Sequence, residues 1–76
     1  MNKYIIKYKT KVNGTDKTTY HENITPNTNN SVMNVYVEHV TEDRKKAKVF
    51  YDQEEAQKVC AMFSKPGYHL GGVIKK

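Results

Sequence analysis

The residues from Lys3 to Val12 alternate in character. Tyr4, Ile6, Tyr8, Thr10 and Val12 occupy one parity; Lys3, Ile5, Lys7, Lys9 and Lys11 occupy the other. A strand places i and i+2 on one face. The spacing therefore predicts a strand with one apolar-aromatic face and one face that is a comb of lysines. Asn13-Gly14 follows at once. Both residue types tolerate positive φ, which a two-residue hairpin turn demands. The chain is thus committed early to an antiparallel sheet.

The remaining elements follow from similar signals. Thr18–Ile24 reads as a second strand, polar enough to suit an edge, with Thr18, Tyr20, Glu22 and Ile24 on one side. Residues 25–31 carry Pro26 and several Asn and read as a loop. Val32–Val40 has four Val and apolar residues on both faces, so a central strand is expected. Thr41–Lys45 is a charged turn, and Lys46–Tyr51 alternates as a fourth strand. Asp52 then suits a helix N-cap, with Glu55 three residues on and Glu54 beside it favoured by the helix dipole. Ala56, Val59, Cys60 and Phe63 form one helical stripe. Lys65-Pro66-Gly67-Tyr68 has the pattern of a type II turn. Tyr68–Lys75 is a last strand, in which Gly71-Gly72 marks a bulge or a close approach. The expected fold is α+β: an antiparallel sheet of four to five strands with one helix on one face, in the order β-β-β-β-α-β. The position of the last strand in the sheet stays open.

Length and composition exclude several classes of work. The 76 residues permit a single small domain, 1–76, and no second domain or cleft between domains. The longest apolar run, Val59–Phe63, is five residues, against roughly 20 for a membrane span. Met1-Asn2-Lys3 leads into alternating Tyr, Ile and Lys rather than an apolar leader, so no membrane partner is expected. With Cys60 as the one cysteine, no intrachain disulfide or Cys-based zinc site can form. Small secreted domains are usually stapled, so a cytoplasmic location is expected.

No catalytic, metal or cofactor arrangement is expected. His21, His39 and His69 are scattered, and only convergence in space would make them a site. Cys60 lies on the apolar stripe and reads as a buried, inert thiol. Adjacent Glu54 and Glu55 point in different directions on a helix. Gly71-Gly72 lacks a phosphate-loop context. The chain is therefore expected not to be an enzyme.

Charge is the most informative feature for function. The net charge is +5, and residues 1–17 and 58–76 each carry +4. Lys3, Lys7, Lys9 and Lys11, extended by Lys75 and Lys76 if the first and last strands are neighbours, form a candidate surface for nucleic acid or an acidic partner. The competing reading is a solvated face that keeps the sheet from aggregating. Twelve of the thirteen basic residues are lysine, which supplies electrostatics without bidentate base readout. Tyr20, Tyr36 and Tyr68 are candidate protein-interface residues, unless they simply fill the core.

The segment Lys48-Val49-Phe50-Tyr51-Asp52-Gln53-Glu54-Glu55-Ala56 resembles the strand-then-capped-helix step of many small α+β domains. Among these are the DNA-binding N-terminal domains of tyrosine integrases. The chain departs from them by adding a further strand and by lacking an Arg-rich sheet. The whole chain, rich in Lys, Asn, Tyr and Ile, resembles in genre the short accessory proteins of bacteriophages and mobile elements, including anti-CRISPR proteins. That likeness implies a non-catalytic inhibitor that binds and blocks a host or defence protein, one that itself holds nucleic acid being included. Direct nucleic-acid binding through the lysine comb is the alternative.

Overall fold

The computed structural model describes residues 2–26 and 36–76. Four strands form one antiparallel sheet: β1 (Tyr4–Val12), β2 (Thr15–Pro26), β3 (Tyr36–Thr41) and β4 (His69–Lys75). Their spatial order is β3-β2-β1-β4. One helix, α1 (Gln53–Phe63), packs on the sheet against β4 and β1. The fold is α+β, as the alternating strands and the capped apolar stripe predict.

The β1–β2 turn forms for the expected reason. Asn13 and Gly14 have φ of 52° and 80°, and Val12 faces Thr15 across the two-residue loop. Positive φ at both positions matches the right-handed twist of the flanking strands. The helix also starts as expected: the Asp52 carboxylate accepts from the Glu54 amide at 3.0 Å. Ala56 and Cys60 of its stripe are buried against Ile6, Tyr8 and Phe50, with Val59 and Phe63 packed alongside.

β4 takes its place beside β1, so the two basic ends of the chain are neighbours. Gly71 lies opposite Tyr8. A Cβ at Gly71 would sit 2.7 Å from both the Cys60 Sγ and the Tyr8 ring. This glycine is therefore required by close approach, whereas a Cβ at Gly72 would meet open space.

Three expectations need correction. β2 is longer than predicted and lies inside the sheet, not at its edge. Its buried residues are Thr19 and His21; Lys7 pairs with Tyr20 and carries the Thr18–Tyr20 parity to the lysine face. The Val-rich strand is not central. Among the described residues β3 is an outer strand, with Tyr36, Val37 and Val40 exposed; residues 32–35 of that prediction lie outside the described residues. Finally, 46–51 is no strand. A 3₁₀ turn occupies Arg44–Lys46, and the segment after it splits its backbone bonds between two strands. The Lys48 amide donates to the His21 carbonyl, and Phe50 exchanges both bonds with Tyr4. Ala47 and Phe50 are the buried pair, so the period is three and not two.

Candidate functional site

The two faces of the sheet carry different chemistry. Opposed residues of an antiparallel pair share a face, so register fixes which side chains meet. On the face away from the helix, Lys11, Lys9 and Lys7 run along β1. On the β2 side they are flanked in turn by Asp16, Thr18 and Tyr20. On the β4 side they are flanked by Tyr68, Leu70 and Gly72. All three lysines are exposed, as are Tyr68 and Leu70, while Tyr20 is half-buried. The Lys11 amide donates to the Tyr68 carbonyl at 2.8 Å and so holds Tyr68 beside Lys11.

Lys9, Lys11, Asp16, Gly67, Tyr68 and Leu70 line a groove of about 210 Å³ at the hairpin end of this face. Gly67, at φ 94°, turns the chain from α1 into β4 and brings Tyr68 to the groove. At the other end Lys3 and Lys76 continue the lysine row, joined by a bond from the Lys76 amide to the Lys3 carbonyl at 2.9 Å. Ile5, on the same parity, is fully buried and faces Ile74, so it interrupts the row.

Two predicted residues fall elsewhere. Lys75 is opposed to Tyr4 and therefore belongs to the helix side of the sheet, not to the lysine row. Tyr36 is exposed on β3, away from Tyr20 and Tyr68. The three tyrosines therefore do not form one patch.

A second constellation is buried on the helix side. Glu38, from β3, reaches into the molecule and accepts from three groups. The Tyr8 hydroxyl donates to Oε2, His21 Nδ1 lies 2.7 Å from the same oxygen, and His69 Nε2 lies 3.3 Å from Oε1. An ionised carboxylate can only accept, so both ring nitrogens carry hydrogen. The other nitrogen of His69, Nδ1, lies 2.9 Å from the Thr10 hydroxyl. The His69 ring stacks on Tyr8 with centroids 4.0 Å apart. His21 is fully buried against Phe50 and Phe63.

Burial pushes the Glu38 pKa up, but hydrogen bonds from His21, Tyr8 and His69 outweigh it, and the carboxyl is held below its ordinary value. Burial and the Glu38 carboxylate push the Tyr8 hydroxyl far above its ordinary range and keep it a donor. Burial, and then the charge of Glu38, also raise the pKa of the Cys60 thiol, which opposes nucleophilic use.

Sequence reasoning paired neither His21 nor His69 with Glu38. The signal was weak: three residues on three strands, each with a surface-like polar side chain. The register of β1 with β2 and β4 is what brings two of the three histidines together. Among the described residues no three His, Cys, Asp or Glu side chains are arranged to hold a metal ion. Nor does any helix among them have the length and apolarity to cross a membrane. Comparison with protein families, with curated proteins and with solved structures returned no match to this chain.

Proposed function

We propose that the protein is a non-catalytic binding protein that holds nucleic acid on the open face of its sheet. The observation that carries this reading is the exposed row Lys7, Lys9 and Lys11, with Lys3 and Lys76 beyond the break at buried Ile5 and Asp16 as the single carboxylate among the residues paired to it. A lysine row neutralises phosphates and releases their counterions. The buried Glu38 cluster reads as structural: its enclosed carboxylate accepts from three donors, while His21 Nε2 is buried without a partner among the described residues.

The test is a titration of labelled oligonucleotides at ~50 and ~200 mM salt. Four single-strand phosphate contacts predict an affinity loss of roughly 50-fold over that range. The triple variant Lys7→Glu, Lys9→Glu, Lys11→Glu should fold and lose binding. Absence of binding at ~50 mM salt by the unaltered protein would overturn the reading.

A second reading rests on a different surface. Tyr36, Val37 and Val40 are exposed on β3, an outer strand among the described residues. A partner strand can add to such an edge. This suits a phage-type accessory protein that blocks a host or defence protein in the bacterial cytoplasm. Its mark is a complex that survives the lysine substitutions and is lost with Tyr36→Ala and Val40→Asp.

A further inference from the structure

We infer that the lysine face takes a single nucleic-acid strand, and that the groove between Tyr68 and Leu70 receives one of its bases. This rests on the nucleic-acid reading above and specifies its ligand.

The first argument is the shape of the charge. Lys7, Lys9 and Lys11 lie in a single line, successive members about 6.8 Å apart along the strand. The strand on either side offers Asp16, Thr18 and Tyr20, or Tyr68, Leu70 and Gly72, at the paired positions. Strands are spaced about 4.8 Å apart, so β3 lies about 10 Å from the lysine row. β3 contains no Lys or Arg. A duplex presents two phosphate rows across grooves about 6 or 12 Å wide; neither the β2 positions paired to the lysines nor β3 supplies a second cationic row, and the remaining basic cluster, Arg44–Lys46, lies in the 3₁₀ turn that follows β3. A single line of charge bordered by aromatic and apolar side chains matches one backbone with its bases turned to the side.

The second argument is the groove. Tyr68 and Leu70 are 54% and 57% exposed, and of the exposed large side chains these two line the groove beside Lys9 and Lys11. They stand on the border of the lysine row, where a base attached to a phosphate held by Lys9 or Lys11 would lie. The groove volume of about 210 Å³ leaves room for a planar ring against the phenol. Every base has a π-face, so stacking there is tolerant of sequence. This agrees with a face made of Lys and not of Arg, which lacks bidentate readout. Asp16 also lines the groove, opposes the phosphates and pairs with Lys11 across the strands.

The experiment compares a labelled 20-nucleotide thymidine strand, a duplex of equal length and a 20-unit abasic strand, by anisotropy at ~50 mM salt. The thymidine strand should bind most tightly. The abasic strand and the Tyr68→Ala variant should each weaken binding roughly 10-fold, the effect of one lost base–aromatic stack. Tyr68→Ala should leave affinity for the abasic strand unchanged, and Tyr68→Phe should restore the loss. Asp16→Asn should tighten all three ligands.

Duplex binding equal to or tighter than the single strand overturns the inference and leaves the nucleic-acid reading standing. The same holds if Tyr68→Ala has no effect, or weakens the abasic strand equally. Failure of all three ligands to bind overturns both. Tyr68 is exposed, and an unchanged circular dichroism melt checks that its variants fold.

Discussion

Gly71 and Gly72 are adjacent in sequence and face opposite sides of the same strand. At Gly71 there is no room for a methyl group; at Gly72 there is nothing within 4 Å. Tyr8 and Lys7 repeat the contrast one strand away, one fully buried and the other exposed. The comparison teaches that over the Lys7–Lys11 stretch this sheet is specified from the helix side, whereas at Ile5, fully buried opposite Ile74, the other side is packed too. The helix side carries the packing and the polar network, so its residues are constrained by volume and by hydrogen-bond satisfaction. Lys7, Lys9 and Lys11 are constrained by little in the folded molecule, which leaves this stretch free to answer to a ligand.

The sharpest way to break that contrast is to exchange bulk between the two glycines. Gly71→Val should destabilise by about 3 kcal/mol or prevent folding, since overpacking displaces the Tyr8 ring and the helix at Cys60. Gly72→Val should stay within about 0.5 kcal/mol. Urea unfolding measures both, and equal losses would erase the distinction between the faces.

Next comes Glu38. Glu38→Ala leaves the Tyr8 hydroxyl and the His21 ring with an unmet donor each, in buried surroundings. Each such group costs about 1–3 kcal/mol, so a total loss of about 2–4 kcal/mol is expected. Glu38→Gln should cost less, because its amide oxygen still accepts.

The pH dependence follows in size. Glu38 is held below its ordinary value, so the native state binds fewer protons than the unfolded chain. Its contribution is fully present above about pH 4.3, the unfolded value, and is lost as pH falls through the lower folded one. A urea midpoint that falls between pH 5 and pH 3, and falls less in Glu38→Gln, is the expected pattern.

The smallest effects belong to the open face. Single Lys7→Ala or Lys9→Ala changes should alter stability by less than about 0.5 kcal/mol. Each should lower the salt slope of single-strand binding by about 0.7. A loss of stability larger than that would show that the face is structural after all.

Much of this was legible in the sequence wherever a signal was local. The β1 alternation, the Asn13-Gly14 turn, the Asp52 cap and the Ala56–Phe63 stripe each specify their element within a few residues. Gly71-Gly72 reads as a bulge or a close approach, and the close approach is met at Gly71 alone. What escaped depended on partners far along the chain. Val-rich residues 32–40 read as central because composition favours burial, yet β3 contributes Glu38, not its valines, to the interior. Lys46–Tyr51 alternates like a strand, but its backbone groups find partners on two different strands and no ladder forms. The site divided in the same way. The lysine row was visible as a period of two, whereas its border of Tyr68 and Leu70 follows from the β1–β4 register. No periodicity joined His21, Glu38 and His69, because three strands had to be aligned before they could meet.

The pairing of β1 with β4 has a kinetic consequence. It joins residues 4–10 to residues 69–75, the innermost pair being Thr10 and His69, so nearly sixty residues must be looped before the first strand gains its second neighbour. Loop-closure entropy is spent before those contacts repay it. The β1–β2 hairpin can form early around its tight turn, within microseconds. Until β4 and the helix arrive, Ile6 and Tyr8 stand uncovered on one side of an open ribbon. Such a chain should fold over milliseconds or longer, with a transition state organised around that late strand. During synthesis β1 would keep an unpaired edge until β4 was free to join it.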